Sequence, residues 1–307
     1  MGENFGMKPA ITLEGVTKRF GDIVAVDNIS MKIPSGCVYG FLGPNGAGKT
    51  TTIRMMMSIL YPDSGTITAL GNPNPEAVKD RLGYLPEEKG LYKKMKTGEI
   101  LAYFGKLKGM PSSKARARAA ELLKQFGLGD WMNKKCETLS KGMSQKVQVL
   151  ATLIHEPELV ILDEPFSGLD PVNVEILREM ILDIKKQGKT VIFSTHMMEQ
   201  AEQICDYILL INKGRKVLDG PLVEVKANAG KSVAVDYEGE ESGLANLSGV
   251  TRVNNAGKTA ELILEEGIDP HSVLEQLISR VKIRRFDTSE KSLHEIFVSA
   301  VGGKSND

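Results

Sequence analysis

Three observations predict an α/β fold built on a parallel sheet flanked by helices. Short apolar runs alternate with helix-period stretches between residues 159 and 211. Two of those runs end in polar clusters, Asp163-Glu164 and Ser194-Thr195-His196. A glycine-rich turn directly follows the apolar run Val38–Leu42. At 307 residues the chain has room for one large domain plus a smaller one.

In chain order, Ile29, Met31 and Ile33 alternate with Ser30 and Lys32 as a half-buried strand does, and Val38, Tyr39, Gly40, Phe41 and Leu42 make a buried run. Helical patterns dominate from about Glu99 to Ile154, where Val147, Leu150, Ala151 and Ile154 recur at the spacing of one buried helix face. A strand at 159–162 follows, then a helix carrying Ile176, Leu177, Met180, Ile181 and Ile184. A strand at 190–193, a short helix near Met198 and a strand at 207–211 complete the alternation. The texture changes near ANAGK (227–231). Beyond it Val233 and Val235 alternate with small or polar residues, Leu262, Ile263 and Leu264 form a short run, and Leu293, Ile296, Phe297 and Ala300 mark a last helical stripe. Residues 229–307 hold 9 basic and 13 acidic side chains, net −4, so the preceding part is +4. This shift sets the expected division into residues 1–228 and 229–307, the second being an α+β accessory domain or a subdomain packed on the main core.

Lys plus Arg and Asp plus Glu both number 39, so global charge gives no support for a nucleic-acid or membrane-surface role. Cys37, Cys136 and Cys205 form no CxxC pair, which argues against a zinc site or a disulfide framework and fits a reducing cytoplasm. No window approaches the roughly 18 apolar residues of a membrane span. If the protein serves a membrane, another chain crosses it.

The turn after Leu42 reads GPNGAGKTT and fits G-x-x-x-x-G-K-[ST]. Gly43, Pro44, Asn45, Gly46, Ala47, Gly48, Lys49, Thr50 and Thr51 form a cradle in which successive amides point inward. Lys49 reaches β- and γ-phosphates and Thr50 holds Mg²⁺. Such a loop needs a carboxylate at the tip of another buried strand. Asp163 supplies it as magnesium partner, and Glu164 beside it is a carboxylate able to accept a proton from attacking water. Two acids closing an apolar strand are costly unless a cation faces them; Mg²⁺ and Lys49 provide that charge. His196 ends a second buried strand, where strand tips converge on the ligand crevice. His155, His271 and His294 have no such context.

One anion site lacks its anion. The helix that opens in TLSKGMSQKVQ (138–148) presents unpaired amides and a positive dipole end, yet nothing near it in sequence is a phosphate loop.

GPNGAGKTT, LSKGM, LVILDEP, SGLDP and His196 stand in an order and spacing that resembles the ATP-binding cassette (ABC) ATPases over roughly residues 10–225. The resemblance implies a P-loop NTPase domain with a mixed sheet core, an antiparallel β subdomain and a helical subdomain. It also implies an answer to the missing anion: Ser140, Lys141, Gly142 and Met143 address the γ-phosphate of ATP held by the other subunit of a head-to-tail dimer. The family usually has glycine where this chain has Lys141 and glutamine where it has Met143; Lys141 either adds attraction for phosphate or faces solvent. Phe20 resembles the residue that stacks on adenine, with an ordinary core residue as the alternative. Ser167, Gly168, Leu169 and Asp170 resemble the loop through which the two sites sense each other. Within GYLPEEKGLY (83–92), Glu87 stands where the family places a glutamine that couples Mg²⁺ and water to transport, so nucleotide binding is more firmly implied than full hydrolysis.

GYLPEEKGLY and the closing SLHEIF (292–297) resemble the sodium-extrusion and drug-efflux exporter ATPases, which carry a small C-terminal accessory domain. The implied protein is an ATPase subunit with ATP and Mg²⁺ as ligands, working as a homodimer or heterodimer with a separate transmembrane permease. It would be peripheral on the cytoplasmic face, with no nucleic acid expected. Rival readings are a soluble ABC regulator of ribosomes or DNA, and a nucleotide-gated module with weak hydrolysis. The first commonly brings a second cassette or a coiled-coil insertion, whereas here about 90 residues without sustained heptads separate Lys49 from Ser140.

Overall fold

The computed structural model describes residues 8–88, 90–265 and 267–302 and divides the chain into two compact units, one ending at Asp219 and one beginning at Gly220.

In the first unit, β1 (Pro9–Phe20) and β2 (Ile23–Pro34) pair antiparallel through the Ile11–Ile33, Leu13–Met31 and Val16–Ile29 partners, which bury their apolar side chains together. The chain then enters β3 (Val38–Leu42), every residue of which is buried, and turns through the glycine loop into α1 (Lys49–Met56). Next, β4 (Ser64–Ala69) returns to the free edge of β1, completing a three-stranded antiparallel sheet in the order β2-β1-β4. A 3₁₀ turn leads to β5 (Leu82–Leu85), and three helices follow: α2 (Thr97–Leu107), α3 (Ser112–Gln125) and α4 (Lys141–Leu153).

The remainder alternates β6 (Leu159–Asp163), α5 (Pro171–Lys186), β7 (Thr190–Thr195), α6 (Met198–Ile204), β8 (Tyr207–Asn212) and β9 (Arg215–Pro221). These strands and β3 form a six-stranded sheet in the order β5-β6-β7-β3-β8-β9, with β5 through β8 parallel. Strands β3, β6 and β7 lie inside it and are buried along their whole length, as the apolar runs require of parallel strands covered on both faces. β9 follows β8 through a two-residue turn in which Lys213 and Gly214 both have positive φ, the type I′ geometry that suits a hairpin. Cys37, Cys136 and Cys205 are free thiols buried in the unit.

Helix starts follow the local chemistry. Ser140 caps α4 by accepting from the Met143 amide at 3.2 Å, and Asp170 caps α5 by accepting from Asn173 at 3.0 Å, with Pro171 as the first helical residue. These two caps set the positions of the LSKGM and SGLDP segments.

The second unit opens with α7 (Leu222–Asn228) and holds an antiparallel sheet of β10 (Lys231–Glu238), β11 (Val250–Asn255), β12 (Thr259–Leu264) and, after α8 (Pro270–Ile278), β13 (Lys282–Glu290). The strand order is β11-β12-β10-β13, and α9 (Leu293–Gly302) ends the described chain. Val233, Val235, Tyr237, Leu262, Leu264, Val273 and Leu277 make a core separate from that of the first unit.

Candidate functional site: a glycine-loop recess facing two carboxylates

The glycine loop is held where only glycine fits. A Cβ on Gly43 would overlap the Ile211 carbonyl oxygen, and one on Gly48 would overlap that of Ala25, while both residues have positive φ. The Gly214 amide donates to the Ala47 carbonyl at 2.9 Å, so the β8–β9 turn braces the loop. Asn45, Gly46, Ala47, Gly48, Lys49, Thr50 and Thr51 line a recess of about 190 Å³ together with Ala25, Glu87 and Glu164. Pro44 precedes them, exposed, and Gly43 is buried beneath.

Lys49 is 5% exposed. Its ammonium donates to the Gly43 carbonyl at 2.7 Å and the Pro44 carbonyl at 3.2 Å and pairs with Glu164 Oε1 at 3.3 Å. The other oxygen of Glu164, Oε2, lies 3.1 Å from His196 Nδ1, a contact in which the ring N–H donates and the carboxylate accepts. Glu164 is thus held from both sides at the floor of the recess. Its backbone has φ 47, a left-handed conformation that side chains other than glycine, asparagine and aspartate seldom adopt, and it is over-determined by the bond its amide donates to Ser194 Oγ at 2.9 Å.

Asp163 is fully buried at the end of β6. Its Oδ1 accepts from Thr50 Oγ1 at 3.2 Å and from Ser194 Oγ at 2.5 Å. Burial pushes its carboxyl above the ordinary range, reinforced by the neighbouring Glu164, while Ser194 and Thr50 hold it down. Asp163 Oδ2 is buried and has no hydrogen-bond partner among the described residues. A buried carboxylate oxygen left open beside a threonine hydroxyl is a donor set suited to a hard cation, so Thr50 and Asp163 fit Mg²⁺.

The remaining predicted residues lie outside the recess lining. Phe20 ends β1 with its ring 48% exposed, which rules out the core alternative, and Lys18 Nζ stands 5.6 Å from the ring centroid. Ser140 and Lys141 are exposed at the tip of α4, Gly142 is buried, and Met143 is half-buried. Gly142 packs against the Asn173 side chain, which leaves no room there for a Cβ, and the Lys141 ammonium rests against Gly168. Ser167, Gly168 and Asp170 are exposed and Leu169 is half-buried.

Three functional contacts escaped the sequence reading. Ser194 bridges Asp163 and Glu164, yet a serine at a strand tip carries no spacing signal. Gln145, buried on the first turns of α4, donates Nε2 to the Pro165 carbonyl at 2.9 Å, tying the signature helix to the residue after Glu164. Ala25 joins the recess from β2 only through tertiary folding.

Comparison with known proteins supplies the family. Residues 26–167 match the ABC transporter family, and residues 220–301 match the C-terminal domain of DrrA1-3-like ATP-binding proteins. The ABC transporter ATP-binding protein YhaQ of Bacillus subtilis is 40% identical over 95% of this chain and 98% of its own length. The daunorubicin/doxorubicin resistance ATP-binding protein DrrA of Streptomyces peucetius is 33% identical over 97% of this chain and 94% of its own. Nod factor export ATP-binding protein I of Burkholderia orbicola is 32% identical over 97% and 98%. Among solved structures, cbiO1 of Clostridium perfringens, part of the ABC transporter complex cbiONQ, superposes with a TM-score of 0.66 at 28% identity, covering 71% of this chain and 91% of that one. The glycine loop, the buried Asp163-Glu164 pair and these matches along nearly the whole length lead to one assignment: the chain belongs to the ATP-binding subunits of ABC transporters, with a DrrA-like C-terminal domain.

Proposed function

We propose that this chain is the ATP-hydrolysing subunit of an ABC exporter, dimerising on ATP to drive a separate membrane permease. The observation that carries the proposal is Glu164, fixed beside the recess between Lys49 and His196. ATP takes its phosphates into the loop of residues 43–51, and Phe20 stacks on adenine. The incoming phosphates draw the Lys49 ammonium from Glu164, and the carboxylate is then free to accept a proton from attacking water while His196 keeps it oriented. Thr50 and Asp163 hold Mg²⁺, with Glu87 near enough to the recess to join the metal's surroundings; the ion supplies charge neutralisation of the phosphates.

Ser140 and Gly142, away from this recess in their own chain, serve the ATP of a second copy or of a different ATPase subunit. The exposed SGLDP loop, touching Lys141 and Asn173, carries the state of one site to the other. Export is favoured by the relatives named for drug resistance and Nod factor export. No helix among the described residues is long and apolar enough to cross a membrane. The relatives named as ATP-binding proteins of resistance and export systems favour a separate permease, with this chain peripheral on the cytoplasmic face. The groove of about 330 Å³ next to the Glu87 loop, lined by Tyr84, Leu85, Phe104 and Leu107, is a suitable seat for that permease.

Phosphate release by the purified chain, alone and with its co-purifying membrane protein, tests the reading. Stimulated turnover supports it. Tight binding of ATP with turnover unmoved by the permease would instead favour a nucleotide-gated module, the reading that Glu87 at the recess motivates.

A further inference from the structure

The zero net charge of the chain hides a strong segregation. Residues 91–146, which contain α2, α3 and the start of α4, carry 13 basic and 4 acidic side chains, net +9, so the remainder is −9. Part of this positive charge is gathered on one surface. Residues 93–98 lie beside 132–137: Lys96 bridges Lys135, the Cys136 amide donates to the Met95 carbonyl at 2.9 Å, the Glu137 amide to Lys93 at 3.0 Å and the Thr97 amide to Lys134 at 2.9 Å. Lys93, Lys94, Lys96, Lys134 and Lys135 are all exposed on these paired segments. Among the described residues two acids pair with them, Glu99 at 4.0 Å from Lys96 and Glu137 at 3.6 Å from Lys135. The patch continues into a recess of about 410 Å³ in which Lys106, Arg116 and Glu99 join Met95, Tyr103 and Met132. At its border Tyr92, 57% exposed, stands edge-on to Tyr103.

We propose that this lysine surface docks on anionic phospholipid headgroups, placing the helical lobe against the bilayer. Clustered lysines on a short rigid scaffold suit a planar array of phosphates, because each cation near an anionic membrane adds to binding without needing a defined pocket. An exposed tyrosine, with its apolar ring and polar tip, suits the headgroup layer. A base-reading nucleic-acid surface would instead interleave aromatic rings among the cations, and here a single exposed ring stands at the edge.

The test is co-flotation of the full chain with phosphatidylcholine vesicles, with and without phosphatidylglycerol, at low and high salt. Wild type floats with the anionic vesicles at low salt only, since exposed charges are screened beyond about 10 Å at 0.1 M. Each lysine near the surface is worth about fivefold in partition, so joint reversal of Lys93, Lys94 and Lys134 to Glu lowers binding at least about a hundredfold. The same charge change spread over Lys32, Lys186 and Lys258 has a much smaller effect. MgATP affinity of the first triple variant stays at the wild-type value, which checks that it folds. Absence of binding to anionic vesicles, equal binding to neutral ones, or equal loss in both triple variants overturns the proposal. Binding to polyglutamate without binding to vesicles also overturns it and assigns the surface to an acidic protein segment.

Discussion

Replacing Ser194 by alanine removes one hydroxyl that positions both carboxylates. Ser194 Oγ donates to Asp163 Oδ1 and accepts from the Glu164 amide, all of it fully buried. The first bond is charge-assisted and contributes about 1.5–3 kcal/mol, and stranding the buried amide costs about 1–3 kcal/mol. Because neighbouring terms are not additive, a loss near the low end of their sum, about 2.5 kcal/mol, is expected in urea unfolding of the nucleotide-free protein. The larger consequence is geometric. Glu164 sits in a left-handed backbone conformation that the Ser194 bond helps impose, and its release moves the carboxylate relative to the attacking water. A displacement of about 1 Å is enough to lower turnover about 10²-fold. Phosphate release under saturating MgATP should fall by that order, while nucleotide affinity, which the proposal assigns to the loop of residues 43–51, should change little. Wild-type kcat in Ser194→Ala would refute the view that this hydroxyl holds the reaction centre.

Other substitutions separate the roles. Lys49→Ala should abolish detectable ATP binding or turnover, measured with a fluorescent nucleotide. Burial lifts the Asp163 pKa in the folded state, so this group's contribution to stability is complete below its unfolded pKa and is lost as pH rises through the folded value; in Asp163→Asn that part of the pH dependence of urea unfolding should disappear, and the same variant should lose Mg²⁺-dependent turnover. Phe20→Ala, at an exposed ring, should weaken nucleotide binding by about 1–3 kcal/mol with no change in the unfolding midpoint, if the ring stacks on the base. Gln145→Met keeps the side-chain volume but deletes the donor to Pro165, and should reduce the cooperativity of ATP hydrolysis with ADP affinity unchanged.

The residues proposed to contact phosphate and metal were legible because that chemistry requires a local pattern. A glycine loop must follow a buried strand, and Asp163, Glu164 and His196 must stand at the tips of others, so strand and motif reinforce each other. The antiparallel sheet was less legible. In β1 the register shifts around Gly15, which breaks the alternation of Ile11, Leu13 and Val16, and β5 is a four-residue strand with a glycine inside. The clamp on Glu164 is tertiary. Lys49, Ser194 and His196 come from α1, β7 and the loop after it, and two parallel registers bring them to Glu164: β6 with β7, pairing Asp163 with Ser194, and β7 with β3, the strand that leads into the glycine loop and α1. The +9 lobe escaped the composition because opposite charge elsewhere in the chain cancels it.

Complementation between two inactive variants tests the shared reaction centre most directly. Lys49→Ala disables the phosphate loop and Ser140→Ala disables the helix tip, and in a head-to-tail pair one mixed site keeps both intact partners. Mixing the two purified proteins with MgATP should restore phosphate release that neither shows alone. A mixture as inactive as its components would contradict a site completed by the neighbouring copy.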